Sequence, residues 1–217
     1  MEPVQPVVLE GRHVRLEPLA ERHLADLLPI VHGPRETFAI TWVPRDEAGL
    51  RRYLEVALEE QRQGVSLPFA TVDRRQGKAV GSTRFMTIDY WQAAPGSPLA
   101  RPPGVPHAVE IGHTWLAPQA QRSALNTEAK LLMLEHAFQR WEVLRVTLKT
   151  DARNVRSRTA IERLGARFDG VLRAAVLAVD GVARDTAYYS ILAAEWPEVR
   201  GRLEGKLARG AAAVATT

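Results

Sequence analysis

The sequence contains no cysteine among its 217 residues. That absence excludes disulfides, thiolate metal ligands and a covalent acyl-cysteine mechanism, and it is typical of a protein in the reducing cytoplasm. No apolar run approaches the roughly 20 residues that a transmembrane helix needs, and the opening Met1-Glu2-Pro3 does not resemble a signal peptide. We therefore expect a cytoplasmic protein that does not bind membranes.

Lysine is scarce as well, and the excess of positive charge is small. The formal net charge is +4, and arginine carries most of the basic charge. No run of basic residues alternates with aromatic ones, so nucleic-acid binding is not expected. The charge predicts only a mild attraction to anionic partners, such as a phosphorylated cofactor.

Two further signatures are missing. The sequence has neither a Gly-x-Gly-x-x-Gly motif nor a Walker-type lysine, which argues against a dinucleotide enzyme or a nucleoside triphosphatase. The histidines show no metal-ligand spacing, and we therefore predict no metal site. They are His13, His23, His32, His107, His113 and His136.

Length and hydrophobic periodicity predict one α/β domain over residues 1–210 and a disordered tail over 211–217. Strands are predicted at 14–18, 69–73, 79–90, 110–116, 145–150, 168–179 and 183–192. Helices are predicted at 21–31, 46–63, 126–141, 155–164 and 197–207. The proline-rich stretch 91–107 is predicted to be a long loop, either a surface insertion or a lid over a substrate.

The strand at 110–116 and the helix that follows it organise the domain. Val109, Ile111 and Trp115 share one parity of the strand, and Pro118 ends it because proline cannot donate to a ladder. Asn126 is the predicted N-cap of the helix.

The junction between this strand and this helix predicts an anion site. A polar turn that enters a helix leaves backbone N–H groups unpaired, and phosphate is the ligand that they most often bind. Gln121 and Arg122 add a hydrogen-bond donor and a positive charge that suit a diphosphate.

Three motifs extend this pattern over the chain. They are Leu9-Glu10-Gly11-Arg12-His13-Val14-Arg15-Leu16, then Glu110-Ile111-Gly112, then Asn154 through Ser157 to Glu162 and Gly165. With the element order, they resemble the GNAT superfamily of acetyl-coenzyme-A-dependent N-acetyltransferases, and most closely the branch that holds the ribosomal-protein N-terminal acetyltransferases. The resemblance runs from about Val8 to Glu195 and implies an α/β (α+β) fold with a mixed, mostly antiparallel central sheet, a splayed strand pair and flanking helices.

The resemblance implies that acetyl-coenzyme A (acetyl-CoA) is the acyl donor, with its diphosphate on the loop 121–126 and its thioester in the splay. The implied cofactor-binding residues are Trp115, Leu116, Gln121, Arg122, Ser123, Ala124, Leu125, Asn126, Thr127, Asn154 and Ser157. The sequence departs from the family pattern in two places. Ala124 and Asn126 hold the two small-residue places of the loop, and Ile161 stands where many members carry a tyrosine that protonates the leaving thiolate.

Acyl transfer to an amine needs three groups. Glu110 is the candidate base, acting through water, and the alternative is a strand-end carboxylate paired with an arginine. The backbone N–H of Leu116 is the candidate donor to the oxyanion. Ser157 is the nearest hydroxyl by motif for protonating the thiolate, although serine is also common early in helices.

Three further side chains are candidates for contacts with the cofactor or the acceptor. Asn154 either caps the helix that follows it or contacts the pantetheine amides, as the resemblance implies. Trp42 and Arg84 are predicted to line the acceptor pocket, and core packing is the alternative for Trp42.

We therefore expect a single-domain acetyltransferase that moves acetyl directly to a primary amine in a ternary complex, as a monomer or a homodimer. The acceptor is a protein N-terminus or a small amine (amino acid, polyamine or antibiotic). The alternatives from other classes are a coenzyme-A-binding protein without turnover and a basic nucleic-acid module.

Overall fold

The computed structural model describes the backbone of residues 1–215 and the side chains of residues 1–210. Eight strands form one sheet in the order β1-β2-β3-β4-β5-β6-β8-β7. The strands are β1 Leu9–Glu10, β2 Val14–Pro18, β3 Ser66–Asp73, β4 Lys78–Asp89, β5 Ala108–Leu116, β6 Arg145–Asp151, β7 Arg167–Leu177 and β8 Ala183–Leu192. The helices are α1 Leu24–Val31, α2 Glu47–Arg62, α3 Ala124–Glu135, α4 Val155–Leu164 and α5 Trp196–Ala215.

All the predicted strands and helices are present, with ends that differ by a few residues. The short strand β1 was not predicted, since two residues carry too little periodicity. Helix α5 runs past its predicted end at Leu207 to Ala215. The predicted disordered tail begins beyond the described side chains, and residues 216 and 217 lie outside the described residues, so it stays a prediction. No helix in the described range combines the length and the apolar character needed to cross a membrane.

The sheet is antiparallel except where β5 pairs with β6. That parallel pairing covers only Ala108, Val109 and Glu110, opposite Arg145, Val146 and Thr147. Beyond Glu110 the two strands separate, which confirms the predicted splayed pair. The gap between them is the place where the sheet can admit a ligand between its strands.

Helices cover the sheet on both sides. Helices α1 and α2 contact β4 and β3, and we call this side the α2 face. Helix α3 contacts β2, and with α5 and α4 it covers the opposite side, the α3 face. The two faces are also marked by neighbouring residues of β4, because Ser82 is hydrogen-bonded to Tyr53 of α2 and Thr83 to Lys130 of α3.

A bulge in β5 overturns one prediction about its faces. His113 has a left-handed φ of 46°. Two steps along β4, from Ser82 to Arg84, pair there with three steps along β5, from Trp115 back to Gly112. The extra residue inverts the alternation, so Trp115 lies against Tyr53 on the α2 face rather than on the face of Val109 and Ile111. The prediction that all three share a face is therefore wrong, because period-2 counting fails across a bulge.

Glu128 ties α3 to the turn before β2. Its carboxylate accepts the backbone N–H groups of Arg12, His13 and Val14 at 2.8, 2.6 and 2.8 Å. A Cβ on Gly11 would lie 2.5 Å from the Glu128 side chain, so this position needs glycine. This close approach explains the glycine of the Gly11-Arg12-His13-Val14 motif, and the Glu128 carboxylate binds this turn rather than the start of its own helix.

The loop 91–107 is held at its C-terminal end. The Arg101 guanidinium donates to the carbonyl oxygens of Pro106, Trp141 and Glu142 at 2.9, 2.8 and 2.6 Å. His107 accepts the backbone N–H of Trp91 at 3.0 Å. The loop joins β4 to the start of β5, the end opposite Leu116, and these contacts favour a surface insertion over a lid.

Lys130 is a buried cation without a carboxylate partner among the described residues. Its ammonium donates to the hydroxyls of Thr83 and Thr114 at 2.9 and 2.6 Å. Burial lowers the pKa of Lys130 from its ordinary value of 10.5 to about 7. The unfolded chain therefore binds this proton more tightly than the fold does, and stability rises with pH between those two values.

We expect Lys130→Met to stabilise the protein by about 1–4 kcal/mol at pH 6–7, because the two threonine hydroxyls still bond each other. The gain should shrink as the pH rises above 7 and should vanish only above 10.5, where the lysine is neutral in both the folded and the unfolded state. Chemical denaturation of wild type and variant across this range measures the difference. Lys206→Met, at an exposed site of α5, is the matched control. A gain that does not change with pH would contradict the assignment.

Candidate active site

The start of α3 supplies the predicted anion site, with one correction. Ser123 is the N-cap, and its side chain accepts the N–H of Leu125 at 3.3 Å. Asn126 is therefore not the cap, because the helix already begins at Ala124. The N–H groups of Ala124 and Asn126 have no intrahelical acceptor and lie at the positive end of the helix, whereas that of Leu125 is capped by Ser123.

The two departures from the family loop cause no backbone strain. Neither Ala124 nor Asn126 has a positive φ, since both lie in the first helical turn, and the left-handed residue of the loop is Arg122 with φ 58°. The side chain of Arg122 is exposed. Alanine at 124 and asparagine at 126 are therefore compatible with an anion that is bound by main-chain N–H groups.

Gln121 connects the loop to its surroundings. Its amide donates to Leu116 O at 3.0 Å and to Thr37 Oγ1 at 3.1 Å. Its carbonyl accepts from Arg156 of α4 at 3.0 Å, across the mouth of the splay. Arg156 therefore places a second positive charge beside the loop, a residue that the sequence analysis did not single out.

The N–H of Leu116 points into the splay. Ala117 donates its own N–H to Val80 O of β4 at 2.7 Å. Successive N–H groups of a strand point to opposite sides, so that of Leu116 points away from β4, toward the gap left by β6. Gly81 lies opposite Leu116, and a Cβ there would be 2.1 Å from Trp115 O, so the close approach of β4 requires glycine.

Glu110 lies where β5 and β6 part, and only 4% of it is exposed. Its Oε2 contacts the ammonium of Lys149 on β6 at 2.9 Å and accepts from the hydroxyl of Thr87 at 3.3 Å. The carboxylate is thus paired with a lysine, not with the arginine of the alternative prediction. A buried carboxylate at the foot of the splay is in a position to receive a proton.

Aromatic rings line the α2 face next to Glu110. Trp42 and Tyr53 lie 5.7 Å apart, and His113 lies 6.4 Å from Trp42. Trp42 is 50% exposed, so the alternative that it packs in the core is wrong. Arg84 is only 2% exposed and stacks under Tyr53 with its guanidinium paired to Glu60, so it supports the pocket from beneath.

The imidazole of His113 is exposed to solvent at the edge of the cleft and contacts the rings of Trp42 and Tyr53. Burial, and after it the positive charges of Arg84, Lys149 and Arg184, lower the pKa of His113 to about 4. The ring is therefore neutral at pH 7 and can accept or donate one hydrogen bond.

Asn154 performs the capping role of its two predicted roles. Its Oδ1 accepts the N–H of Ser157 at 3.0 Å, at the start of α4. The capping bond uses only the oxygen, so the amide nitrogen can still meet a ligand. Ser157 lies in the same first turn and is partly exposed.

A pantetheine thioester fits this arrangement, because free main-chain N–H groups, a strand gap and a buried carboxylate lie along one path. Within the described range, no three histidine or acidic side chains group as metal ligands would. A family model described as an acetyltransferase (GNAT) domain matches residues 13–167. The chain belongs to the GNAT acetyltransferase family.

Solved structures of GNAT proteins share the fold. A GCN5-related N-acetyltransferase from Brucella melitensis superimposes with a TM-score of 0.81 and 28% identity, covering 95% of this chain and 87% of that one. RimJ of Mycobacterium smegmatis, solved with CoA-disulfide, gives a TM-score of 0.76 at 22% identity, covering 95% and 97%. The predicted fold class is confirmed.

A curated relative extends the likeness. YdaF of Bacillus subtilis (strain 168), named provisionally as a ribosomal N-acetyltransferase, is 34% identical over 87 residues, 40% of this chain. The match spans less than half of that relative, 46% of its length. The predicted resemblance to the GNAT branch with ribosomal-protein acetyltransferases is thereby confirmed.

Several residues of this GNAT site escaped the sequence analysis: Tyr53, Thr87, His113, Lys149 and Arg156. Lys149 lies two residues after Thr147, which pairs with Glu110, so the two side chains are on the same face of the sheet. The sequence does not give this register of β5 and β6, and only the structure shows that the two residues meet. The packing of His113 and Trp115 against Tyr53 depends on the bulge at His113. No glycine or other typical bulge residue at that position predicts it.

Proposed function

We propose that this GNAT acetyltransferase moves acetyl from acetyl-CoA directly to a primary amine, with a protein N-terminus as the acceptor. The proposal is carried by one observation: β5 and β6 separate beyond Glu110, so a gap runs from the buried carboxylate of Glu110 to the free N–H of Leu116 and the start of α3. The likeness to proteins named as ribosomal acetyltransferases supports the choice of acceptor.

The chain's own groups have these proposed roles. The N–H groups of Ala124 and Asn126, with Arg122 beside them, bind the diphosphate. The N–H of Leu116 binds the pantetheine arm along the gap, because roughly 20 Å of strand separates it from Glu110 and it therefore cannot reach the acyl oxygen. Acetyl-CoA supplies an activated acyl carbon, whose bond to sulfur breaks as the bond to nitrogen forms.

Two proton transfers complete the reaction. Glu110 receives, through water, the proton that the attacking amine loses. Ser157 lies in the turn that Asn154 caps, and we propose that its hydroxyl gives a proton to the thiolate while it takes one from solvent, since Ile161 offers none. Trp42 and the pocket above Arg84 contact the acceptor.

The decisive experiment measures thiol release from acetyl-CoA against a panel of amines. Peptides with free N-termini should be acetylated faster than amino acids, polyamines or aminoglycosides. Faster release with a small amine would transfer the assignment to a small-molecule acetyltransferase. Coenzyme A binding without amine-dependent release would identify a CoA-binding protein without turnover, the alternative that Ile161, in place of the usual tyrosine, suggests.

A charge at Asn126 tests the proposed diphosphate site. Asn126→Asp places a carboxylate in the first turn of α3, which should stabilise the free helix by about 0.3–1 kcal/mol. The same charge should weaken coenzyme A binding about tenfold, because it opposes the phosphates at short range. Calorimetric titration measures the affinity, and Asn126→Ser is the neutral control. Equal affinity of the aspartate variant and wild type would place the diphosphate elsewhere.

A further inference from the structure

Lys149 is a charged residue of the cleft to which the proposed mechanism gives no role. Its Nζ lies 2.9 Å from Glu110 Oε2, and its side chain is 27% exposed. The ammonium also faces the ring of Tyr188 on β8 at 5.9 Å. Three strands therefore converge on one ion pair at the foot of the splay.

The contacts of Glu110 leave it little freedom. Oε2 meets both Lys149 and Thr87, and Oε1 lies over Gly112, where a Cβ would approach it to 3.0 Å. The glycine thus leaves room for the carboxylate, and the lysine and threonine fix its direction. Without the cation, a carboxylate that is 4% exposed would keep a single hydroxyl donor among the described residues.

Other charged groups face the same pocket but are bound elsewhere. Arg84 of β4 pairs with Glu60 of α2 at 2.7 Å. Arg184 of β8 donates to Thr186 at 3.0 Å. His113 of β5 is neutral at pH 7 because its pKa is lowered to about 4. Lys149 is the cation that touches the Glu110 carboxylate itself.

We infer that Lys149 is a positioning residue, which holds the Glu110 carboxylate directed at the splay until the acceptor amine arrives. A buried carboxylate with an adjacent cation loses its proton more readily than one without. The water that carries the proton of the amine competes with Lys149 for Oε2, and the Tyr188 ring offers the displaced ammonium a second contact. The inference rests on the proposed function, since it assigns Glu110 as the proton acceptor.

The pH profile of kcat/KM tests the inference. Lys149→Met should move the acidic limb upward by about 1–2 pH units, which lowers the rate on that limb about 10- to 100-fold. Lys149→Arg keeps the charge and should return the limb to its wild-type position. Lys78→Met, at an exposed site of β4, should leave the profile unchanged. An unshifted limb in the methionine variant, in an active enzyme, would overturn the inference.

Thermal unfolding separates a failure of this inference from a failure of the proposed function. Lys149→Met leaves the charged form of the buried carboxylate without its cation, and that form is more populated at pH 8 than at pH 5, so the loss of Tm should grow with pH. In a Glu110→Gln background the same substitution should cost the same at both values. If wild type acetylates no amine, the proposed function fails, and this comparison still decides the role of Lys149. A loss of Tm that is independent of pH would overturn it.

Discussion

Glu110→Gln should lower kcat/KM for amine acetylation by about 10²–10³-fold at pH 7, with coenzyme A binding unchanged. The amide keeps the volume of the side chain and can still accept from the Thr87 hydroxyl, which donates to Oε2 at 3.3 Å in the wild type. It cannot take a proton from an attacking amine. The acidic limb of the pH profile should disappear together with the rate, because the group that titrates is gone.

A matched control keeps this result interpretable. Glu17 is also a half-buried strand carboxylate paired with basic side chains, but it lies on β2, away from the splay. Glu17→Gln should cost stability and leave kcat/KM within about twofold of wild type. If Glu110→Gln retains the full rate at neutral pH, Glu110 is not the base, and neutral His113 becomes the next candidate.

Glu128→Ala should destabilise the fold by about 3–5 kcal/mol, lowering Tm by about 10 °C. The substitution removes the acceptor of three backbone N–H groups in a region that excludes much of the solvent. Each donor left without a partner costs free energy, and a carboxylate is a stronger acceptor than water for a buried amide.

Two further variants define the origin of this loss. Glu128→Gln keeps one acceptor oxygen without the charge and should lose roughly half as much. Glu135→Ala removes a carboxylate from the same helix, where it contacts Arg200 at 3.4 Å near the surface, and should cost less than about 1 kcal/mol. Similar losses at both glutamates would show that helix propensity, not the three N–H groups, sets the effect.

Local rules predict those elements whose signals are confined to neighbouring residues. A glycine directly after a helical pattern predicts a left-handed end, and Gly165 ends α4 with φ 104°. An Asp-Gly pair predicts a hairpin turn, and Asp180-Gly181 lies in the turn that joins β7 and β8. Such features need no knowledge of the rest of the chain.

The features that failed depend on distant parts of the chain. Asn126 has the right chemistry for a cap, but Ser123 begins the helix three residues earlier. The partner of Glu128 lies more than a hundred residues away, so no local pattern connects them. The faces of β5 depend on a bulge at a histidine, a residue that rarely marks one.

The short contact between β5 and β6 has a mechanical consequence. Only three residue pairs join the two parts of the sheet along their backbones, so a hinge there would cost few hydrogen bonds. A ligand bound between β5 and β6 would contact both parts of the sheet and restrict motion at that hinge. We therefore expect amide exchange to slow on both flanking strands together once the gap is filled, even for amides that touch no ligand.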